Sequence, residues 1–360
     1  MLKRICKIVF LFCVLLSLSG CVTFGTQVSD GGVLRSADHG SSWEPRNYVG
    51  SSKKGDITIA GVSVLTLEFD PKDPAILYLG TADNGAFKTT NHAEKWERMG
   101  PSTGPVQNIA INSQNTDEIY LTQKNVIYRS QDQGHVWNII DSEPRGLTIN
   151  DFVVDSYLPD RLYRGLANGE LQKSMNQGIS WSLVHDFGSS IKKVLVDPRD
   201  TRRIFVFTAT KGVFRSTNLG LDWVSLADNL VGKNTKKKKE ILSFKDAVFD
   251  FSKPSSLLYA SQYGLYRTDD NGETWKKYQL LASADELNIL AVGINHEAPQ
   301  GLFYTSGSKL FKSDDDGQSW IVVDLPSSKN AQVLLVHPGD SRIIYIGMKI
   351  PPKEKKGIFF

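Results

Sequence analysis

Short runs of β-branched and aromatic residues alternate along the chain with turns rich in Gly, Pro, Asn and Asp. Such runs are typical of β-strands. One group of four starts with a strand at Val64–Phe69, continues through strands at Ile76–Leu79 and Ala86–Lys88, and ends with a strand from Trp96. No segment has a long helical period. The pattern therefore predicts an all-β chain made of four-stranded antiparallel units.

The tryptophans reveal an internal repeat. All seven close the same eight-residue pattern, Ser/Thr-x-Asp/Asn-x-Gly-x-x-Trp. The copies run from Ser36 to Trp43, Thr89 to Trp96, Ser130 to Trp137, Ser174 to Trp181, Ser216 to Trp223, Thr268 to Trp275 and Ser313 to Trp320. Their spacing of about 40 to 50 residues is that of propeller blades. The pattern resembles the Asp-box (BNR) repeat, and this resemblance implies a seven-bladed β-propeller.

Each recurring type of residue in the box has a structural task. The Asp or Asn side chain folds the turn by bonding backbone N–H groups, Gly supplies a positive φ, and Trp adds a large apolar body. Ala93 stands where the other boxes have Gly, so the box at 89–96 departs most from the pattern. We assign a structural role to Asp38, Gly40, Trp43, Trp96, Asp132, Gly134, Trp137, Gly178, Trp181, Gly220, Trp223, Asp270, Gly272, Trp275, Asp315, Gly317 and Trp320.

The two ends of the chain predict a shared blade. Six complete blades fit between Val62 and Val323, and strands of a seventh remain at Gln332–Phe360 and Gly32–Arg46. Pairing them closes a propeller over residues 32–360 and removes exposed sheet edges. Two segments compete for the third strand of this blade, Gly32–Arg35 and Gly357–Phe360, and the sequence does not choose between them.

The N-terminus has the features of a targeting segment. A basic start and a short apolar run end in Leu18-Ser19-Gly20-Cys21, which resembles the bacterial lipobox. The resemblance implies a signal peptide over 1–20, acyl chains on Cys21 and a short tether over 21–31. We therefore expect a lipid-anchored protein of the bacterial cell envelope. In a host with two membranes, Val22 favours the outer membrane, on its periplasmic side or at the cell surface.

The residues offer little catalytic chemistry. All three cysteines lie in the first 21 residues, so the rest of the chain has no disulfide, thiolate metal site or thiol nucleophile. The six histidines fall in boxes and predicted turns and do not converge. No catalytic residue, cofactor or metal site is predicted. The candidate carboxylates on the predicted inner strands are Glu68, Asp151, Asp155, Asp246 and Asp250, and their spacing singles out no pair.

Three groups of Asp-box propellers bear on function: sialidases, oligoxyloglucan-type glycoside hydrolases, and non-catalytic propellers such as sortilin-type receptors and photosystem II assembly factors. The early Arg-Ile-Pro element of sialidases is absent. The oligoxyloglucan hydrolases use two propellers with a cleft between them, and this chain predicts one. The resemblance therefore favours a non-enzymatic binding or assembly protein, with a carbohydrate-active enzyme or glycan-binding module as the alternative.

Lysine-rich loops are the candidate binding face for an envelope protein partner. The net charge of +3 and the lack of aromatic residues within the lysine run disfavour nucleic acid. If the propeller closes, we expect these loops on one face, opposite the Asp boxes. The candidates are Lys53, Lys54, Lys233, Lys236, Lys237, Lys238, Lys239, Lys353, Lys355 and Lys356.

Overall fold

A computed structural model describes residues 30–233, 235–281, 288–298 and 300–350. These residues form seven four-stranded antiparallel sheets, or blades. The first strand of each blade contacts the first strands of the blades on either side, so the seven first strands close a ring around a central channel. The predicted seven-bladed β-propeller is confirmed.

Each blade has four strands, which follow one another from the channel outwards. The first strands are β5 (Val64–Phe69), β9 (Asn108–Ile111), β13 (Ile149–Val154), β17 (Ile191–Val196), β21 (Phe244–Phe249), β25 (Ile289–Ile294) and β29 (Asn330–Val336). The second strands are β6 (Leu77–Thr81), β10 (Ile119–Gln123), β14 (Leu162–Leu166), β18 (Ile204–Thr208), β22 (Leu257–Ser261), β26 (Leu302–Ser306) and β30 (Ile344–Lys349). The third strands are β7 (Ala86–Thr89), β11 (Val126–Ser130), β15 (Glu170–Ser174), β19 (Gly212–Ser216), β23 (Gly264–Thr268), β27 (Lys309–Ser313) and β1 (Val33–Ser36). The fourth strands are β8 (Glu97–Met99), β12 (Asn138–Ser142), β16 (Ser182–Asp186), β20 (Val224–Ser225), β24 (Lys276–Lys277), β28 (Ile321–Asp324) and β2 (Glu44–Pro45).

The second strands form the core between the blades. They are covered on both faces and are buried over nearly their whole length, which is why they are apolar without alternation. One register position carries a large buried side chain in every blade, and in six blades that side chain is aromatic. These residues are Tyr78, Tyr120, Tyr163, Phe205, Leu258, Phe303 and Tyr345. The fourth strands begin just after the box tryptophan rather than at it, because the tryptophan still belongs to the turn.

The seventh blade joins both ends of the described chain. Its strand order is β29-β30-β1-β2, with Val33 opposite Gly347 and Ser36 opposite Ile344. Of the two candidates for its third strand, the structure therefore uses the N-terminal one, and Gly357–Phe360 lies outside the described residues. Asp30 reinforces the closure by accepting a hydrogen bond from the backbone N–H of Ser328 at 2.6 Å.

The turns lie on two opposite faces. On the box face, the Asp-box turns meet the turns between first and second strands; the backbone N–H of Gln133, for example, donates to the carbonyl of Asp117. On the loop face, the turns between second and third strands meet the segments that join the blades, as when the N–H of Gln262 donates to the carbonyl of Ser243. This arrangement assigns to the loop face the residues that directly precede a first strand, such as Ser190 and Ser243.

Two segments between blades have structure of their own. Residues between blades 4 and 5 form helix α1 (Ala227–Val231), a single 3-10 turn (Thr235–Lys237) and helix α2 (Lys238–Leu242). Residues between blades 7 and 1 form a hairpin of β3 (Tyr48–Ser52) and β4 (Gly55–Thr58). No helix in the described part of the chain is long and apolar enough to cross a bilayer.

Candidate functional site: the central channel and the loop face

The Asp boxes are self-contained turns. In the box of Ser130, the Ser130 hydroxyl accepts from the N–H of Gly134 at 2.8 Å and donates to Asp132 at 2.7 Å. The Asp132 carboxylate accepts from the N–H of Val136 at 2.9 Å, and Trp137 donates its indole N–H to the Gly134 carbonyl at 2.8 Å. The same bonds recur in the other boxes, where an Asn side-chain oxygen takes the place of the carboxylate in three blades, at Asn91, Asn176 and Asn218. Because the polar groups are used within each turn, the geometry agrees with a structural role.

Two features of the boxes go beyond the sequence pattern. The residue before the box glycine also has a positive φ in every blade, for example Gln133 at 59° and Leu219 at 62°. Ala93 adopts a φ of 66° in the glycine position, and the atypical box still forms, with the Ala93 N–H bonded to the Thr89 hydroxyl. Trp96 in this box is fully buried and donates to the carbonyl of Arg46 at 2.7 Å rather than to its own turn.

The central channel encloses a cavity of about 670 Å³ lined by the first strands. In six blades, a bulge near the start of the first strand shifts its register against the second strand by one residue. Of the five carboxylates weighed from the sequence, Glu68, Asp151 and Asp246 line this cavity, together with Lys193. Asp155 and Asp250 do not.

Asp155 and Asp250 follow their first strands and belong to buried turns. Asp155 accepts from the backbone N–H groups of Tyr157 and Leu158 and from the guanidinium of Arg161 at 2.7 Å. Asp250 pairs with Arg267 in the corresponding turn of blade 5. Asp70 and Asp197 occupy the same position and make the same kind of turn in their blades. This position is a repeat feature that folds the turn and is not a catalytic constellation.

The other two aspartates connect neighbouring blades. Asp151 on β13 accepts a hydrogen bond at 2.6 Å from the backbone N–H of Val194 on β17. Asp246 on β21 accepts at 3.0 Å from the N–H of Val292 on β25. Lys193 on β17 donates to the other oxygen of Asp246 at 2.8 Å. A continuous polar link therefore ties blades 3, 4, 5 and 6 at the channel wall.

The environment of the channel changes the protonation of these groups. Burial raises the pKa of Glu68 to about 7, although Lys193 and a hydrogen bond from Thr66 oppose the shift. Burial raises the pKa of Asp151 to about 6, although the Val194 N–H and Lys193 oppose it. Burial alone would lower the pKa of Lys193, but Asp246, Asp151 and Glu68 together raise it, so Lys193 remains charged.

The histidines do not form a metal site. Among the residues that the structure describes, no group of His, Cys, Asp and Glu is arranged to hold a metal ion. His185 was expected in a turn but lies in β16, where its ring contacts Phe187 at 4.7 Å between centroids. His337 lies in a turn as expected and accepts from the N–H of Gly339 through Nδ1.

The lysine run of the loop face has an apolar base. Lys233, Lys236, Lys238 and Lys239 are exposed and Lys237 is half-buried. Beneath them, the side chains of the segment that point inwards are buried against the core of blades 4 and 5; these are Leu226, Leu230, Val231, Ile241 and Leu242. The lysine run thus lies on a short packed segment that contains α1 and α2, where the sequence predicted a loop.

Further cations of this face were missed in the sequence because they are scattered along it. The ammonium of Lys277 lies 3.6 Å from the ring centroid of Tyr263, and that of Lys237 lies 5.9 Å from the same ring. Lys192 and Lys245 line the end of the channel that opens on the loop face. Both residues could have been found from the sequence, because each is the second residue of a first strand and follows a buried or half-buried apolar residue.

Lys53 and Lys54 are separate from this cluster. Lys53 and Lys54 occupy the exposed turn between β3 and β4. The start of this hairpin lies against the Asp box of blade 1, since the Tyr48 carbonyl accepts from the backbone N–H of Trp96, so the structure does not join Lys53 and Lys54 to the lysines opposite the boxes as the sequence predicted. Lys353, Lys355 and Lys356 lie outside the described residues, as does Cys21.

Comparisons with known proteins agree with the repeat and the fold. A model of the BNR/Asp-box repeat matches residues 266–277. The xyloglucanase Xgh74A of Acetivibrio thermocellus is 22% identical over 268 residues, which are 68% of this chain and 28% of that protein. A xyloglucanase of Hypocrea jecorina is 27% identical over 233 residues, 63% of this chain and 25% of that protein. The chain therefore spans about a quarter of the curated relatives that it matches.

Solved structures of two kinds have a similar fold. The GH74 xyloglucanase from Xanthomonas campestris superposes with a TM-score of 0.60 at 15% identity, over 86% of this chain and 52% of that one. YCF48 from Cyanidioschyzon merolae gives a TM-score of 0.60 at 14% identity, over 80% of this chain and 96% of that one. A structure of YCF48 bound to D1 peptide gives 0.58 at 14% identity. At these identities the likeness shows the propeller fold alone.

Proposed function

We propose that this protein is a non-enzymatic binding scaffold that recognises a protein partner through its loop face. The observation that carries the proposal is the lysine run of α1 and α2, which is exposed on one side and anchored by buried Leu230, Val231, Ile241 and Leu242 on the other. A preorganised charged surface loses less conformational entropy on binding than a flexible loop does. It also attracts an acidic partner over several ångströms.

The channel chemistry supports the non-enzymatic reading. General acid–base hydrolysis of a glycoside needs two carboxyl groups that are free to face the substrate. Asp246 is held by Lys193 and by the Val292 N–H, and Asp151 is held by the Val194 N–H. Both aspartates are therefore occupied in joining blades.

The likeness to YCF48 supports the same proposal. The protein superposes on nearly the whole of YCF48 but on about half of the xyloglucanase from Xanthomonas campestris. YCF48 has been solved bound to D1 peptide, which shows that a propeller of this size can bind a polypeptide segment. The partner of the present chain is proposed from its own charge: an acidic segment of an envelope protein.

Membrane attachment through Cys21 is part of this proposal. Asp30 is bonded to Ser328, in the segment that joins blades 6 and 7, so the described chain starts at the loop face. Only the eight residues 22–29 stand between Cys21 and Asp30 in the sequence, and a chain of that length spans at most about 30 Å. The lysines of the loop face would then lie close to the membrane, where a segment of a membrane-associated protein is within reach. Cys21→Ala should release the protein from the membrane fraction; retention of the variant there would contradict the anchor.

The partner is tested by crosslinking in intact cells of the source organism, followed by mass spectrometry of the captured proteins. The variant K236Q/K238Q/K239Q removes three exposed charges from the loop face. The control K72Q/K95Q/K253Q removes three exposed charges from the box face. We expect one envelope protein to be captured by the wild type and the control and lost with the first variant. Equal capture by all three proteins would overturn the role of the loop face.

A glycoside hydrolase is the second candidate, because the raised pKa values of Glu68 and Asp151 would suit a general acid in the channel and the sequence relatives are xyloglucanases. Hydrolysis of xyloglucan by the wild type, abolished in both E68Q and D151N, would establish this activity. The binding proposal expects no turnover by any of the three proteins.

A further inference from the structure

Glu68 breaks a pattern of uncharged side chains around the channel. It lies opposite Tyr78 in the register of blade 1. The equivalent position in every other blade is apolar: Ala110, Val153, Leu195, Val248, Gly293 and Leu335. We call these seven residues the channel ring. A single carboxyl group therefore projects from an otherwise apolar ring, at a position where the repeat itself does not require a charge.

Glu68 is also the least satisfied carboxyl group of the channel. Its one protein partner among the described residues is the Thr66 hydroxyl, 3.2 Å from Oε1. Its other oxygen has no hydrogen-bond donor in this part of the chain, and the side chain is partly accessible to the channel. Lys193 is the cation of the channel wall that lowers the pKa of Glu68, but its ammonium is bonded to Asp246, and no ion pair with Glu68 is present among the described residues. One carboxylate oxygen is thus left for a ligand.

The charge of the cavity selects the class of ligand. Glu68, Asp151 and Asp246 face one ammonium group, that of Lys193, in this part of the channel. The wall is therefore short of positive charge. Lys192 and Lys245 lie at the loop-face end and repel a cation there. At the box-face end, the described residues that line the cavity are uncharged, for example Pro71, Pro198 and Phe251, so a cation meets less repulsion there than at the loop-face end.

We propose that the channel binds a primary alkylammonium group, with the Glu68 carboxylate as its ion-pair partner and the apolar residues of the channel ring around its alkyl chain. The cavity of about 670 Å³ is large enough for such a chain, since small-molecule sites occupy about 300–1,000 Å³. The group is carried by a free alkylamine or by a lysine side chain of a polypeptide. This site is separate from the lysine run of α1 and α2, none of whose lysines lines the cavity.

Binding should depend on pH in a defined direction. Burial raises the pKa of Glu68 to about 7, so the carboxylate that attracts the ammonium is present mainly above that pH. The groups facing it are Thr66 on its own strand, Lys193 on blade 4, and Asp151 and Asp246 on blades 3 and 5, while blades 2, 6 and 7 present uncharged side chains. Asp151, with a pKa of about 6, gains charge over the same range and adds to the effect. Affinity should therefore rise between about pH 6 and about pH 8.

The test is calorimetric titration of the full-length protein with n-butylammonium, n-butanol and butyrate at about pH 8. We expect n-butylammonium alone to bind, and E68Q to weaken it by about tenfold or more, since a charge-assisted hydrogen bond contributes about 1.5–3 kcal/mol. E97Q removes an exposed carboxylate on the outer strand β8 and is the control; it should bind like the wild type. Equal binding of the ammonium and the alcohol, or unchanged affinity in E68Q, would overturn the proposal.

A second measurement does not depend on the folding of E68Q. Titration of the isotope-labelled wild type with n-butylammonium should shift the amide resonances of Ala110 and Leu335 in the channel ring. No shift at these residues at saturating amine would overturn the site. Titration with Nα-acetyl-lysine N-methylamide in place of n-butylammonium distinguishes the two sources of the group. Tighter binding of the lysine derivative indicates a lysine side chain as the ligand. Failure of the lysine derivative to bind, at a site that binds n-butylammonium, indicates a free amine.

Discussion

The carboxylate of Asp151 in blade 3 accepts a hydrogen bond at 2.6 Å from the backbone N–H of Val194 in blade 4. The first strand of a blade has no further strand on its channel side, so the N–H groups along that edge need other partners. A carboxylate from the preceding blade satisfies one of them and adds to the other hydrogen bonds between these two sheets, such as the one that the Asn150 amide donates to the Ile191 carbonyl at 2.9 Å. Asp246 repeats the arrangement with Val292, two blades further on.

Replacing Asp151 tests this link. Asp151→Val leaves the Val194 N–H without an acceptor and should lower the free energy of unfolding by about 1–3 kcal/mol. Asp151→Asn keeps an oxygen at the same place and removes a buried charge, so its stability at about pH 8 should equal or exceed that of the wild type. Urea denaturation followed by tryptophan fluorescence measures both. A stable Val variant would show that the bond contributes nothing.

The stability of the wild type should fall with pH because of Glu68. Its pKa is about 7 in the folded protein and 4.5 ordinarily, so the folded state holds the proton more tightly than the unfolded chain. The contribution of this group to stability is therefore greatest below pH 4.5 and decreases as the pH rises through about 7. E68Q lacks this contribution. As the pH rises from about 4 to about 8, the free energy of unfolding of E68Q should therefore increase by about 1–2 kcal/mol relative to that of the wild type, a figure reduced because solvent in the channel screens the charge. A pH-independent difference would contradict the burial of this carboxyl group.

A fully buried box tryptophan should contribute more to the free energy of unfolding than a half-buried one. Trp96 is fully buried and bonded to the Arg46 carbonyl, whereas Trp223 is half-buried and packs edge-on against Phe187 at 4.9 Å. We expect Trp96→Ala to cost about 3–5 kcal/mol and Trp223→Ala about 2–3 kcal/mol. Denaturant unfolding of both variants gives the order directly. A larger decrease in the free energy of unfolding for Trp223→Ala than for Trp96→Ala would mean that burial of the tryptophan does not determine how much it stabilises the fold.

The glycine position of the boxes allows a pair of opposite substitutions. Ala93→Gly relieves a φ of 66° and should stabilise the protein by up to about 1 kcal/mol. Gly134→Ala imposes a side chain at a φ of 92° and places its Cβ 3.3 Å from the Met99 sulfur, so it should destabilise by about 1 kcal/mol or more. Differential scanning calorimetry should move the two midpoints in opposite directions. Shifts of the same sign would contradict the strain assigned to Ala93.

The sequence was sufficient to predict the blades because their signals are local and repeated. Each box contains its own donors and acceptors, so Ser130, Asp132 and Gly134 fold a turn whatever surrounds them. The pairing of the two chain ends was predicted for a different reason: the incomplete strands at each end complement one another. The third strand of that blade could not be chosen from the sequence, because both candidates have the same apolar pattern.

The channel was harder to predict because it depends on contacts between blades. Asp151 and Asp155 are four residues apart and look alike in the sequence, yet one reaches the next blade and the other is paired with Arg161 in a turn. Lys193 went unnoticed because its partner, Asp246, is 53 residues away. The buried base of the lysine run was missed for a similar reason, since the helical turns there are too short to show a period.

The most direct test of the proposed loop-face function is site-specific photo-crosslinking in intact cells. A photoreactive residue replaces Lys238 on the loop face in one protein and Leu221, an exposed residue of an Asp box, in another. We predict that one envelope protein is crosslinked from position 238 and not from position 221, and that the yield of this crosslink falls when Lys236 and Lys239 are changed to Gln. Crosslinking of the same protein from position 221 alone, or an unchanged crosslink yield after these two substitutions, would contradict the loop face as the binding surface.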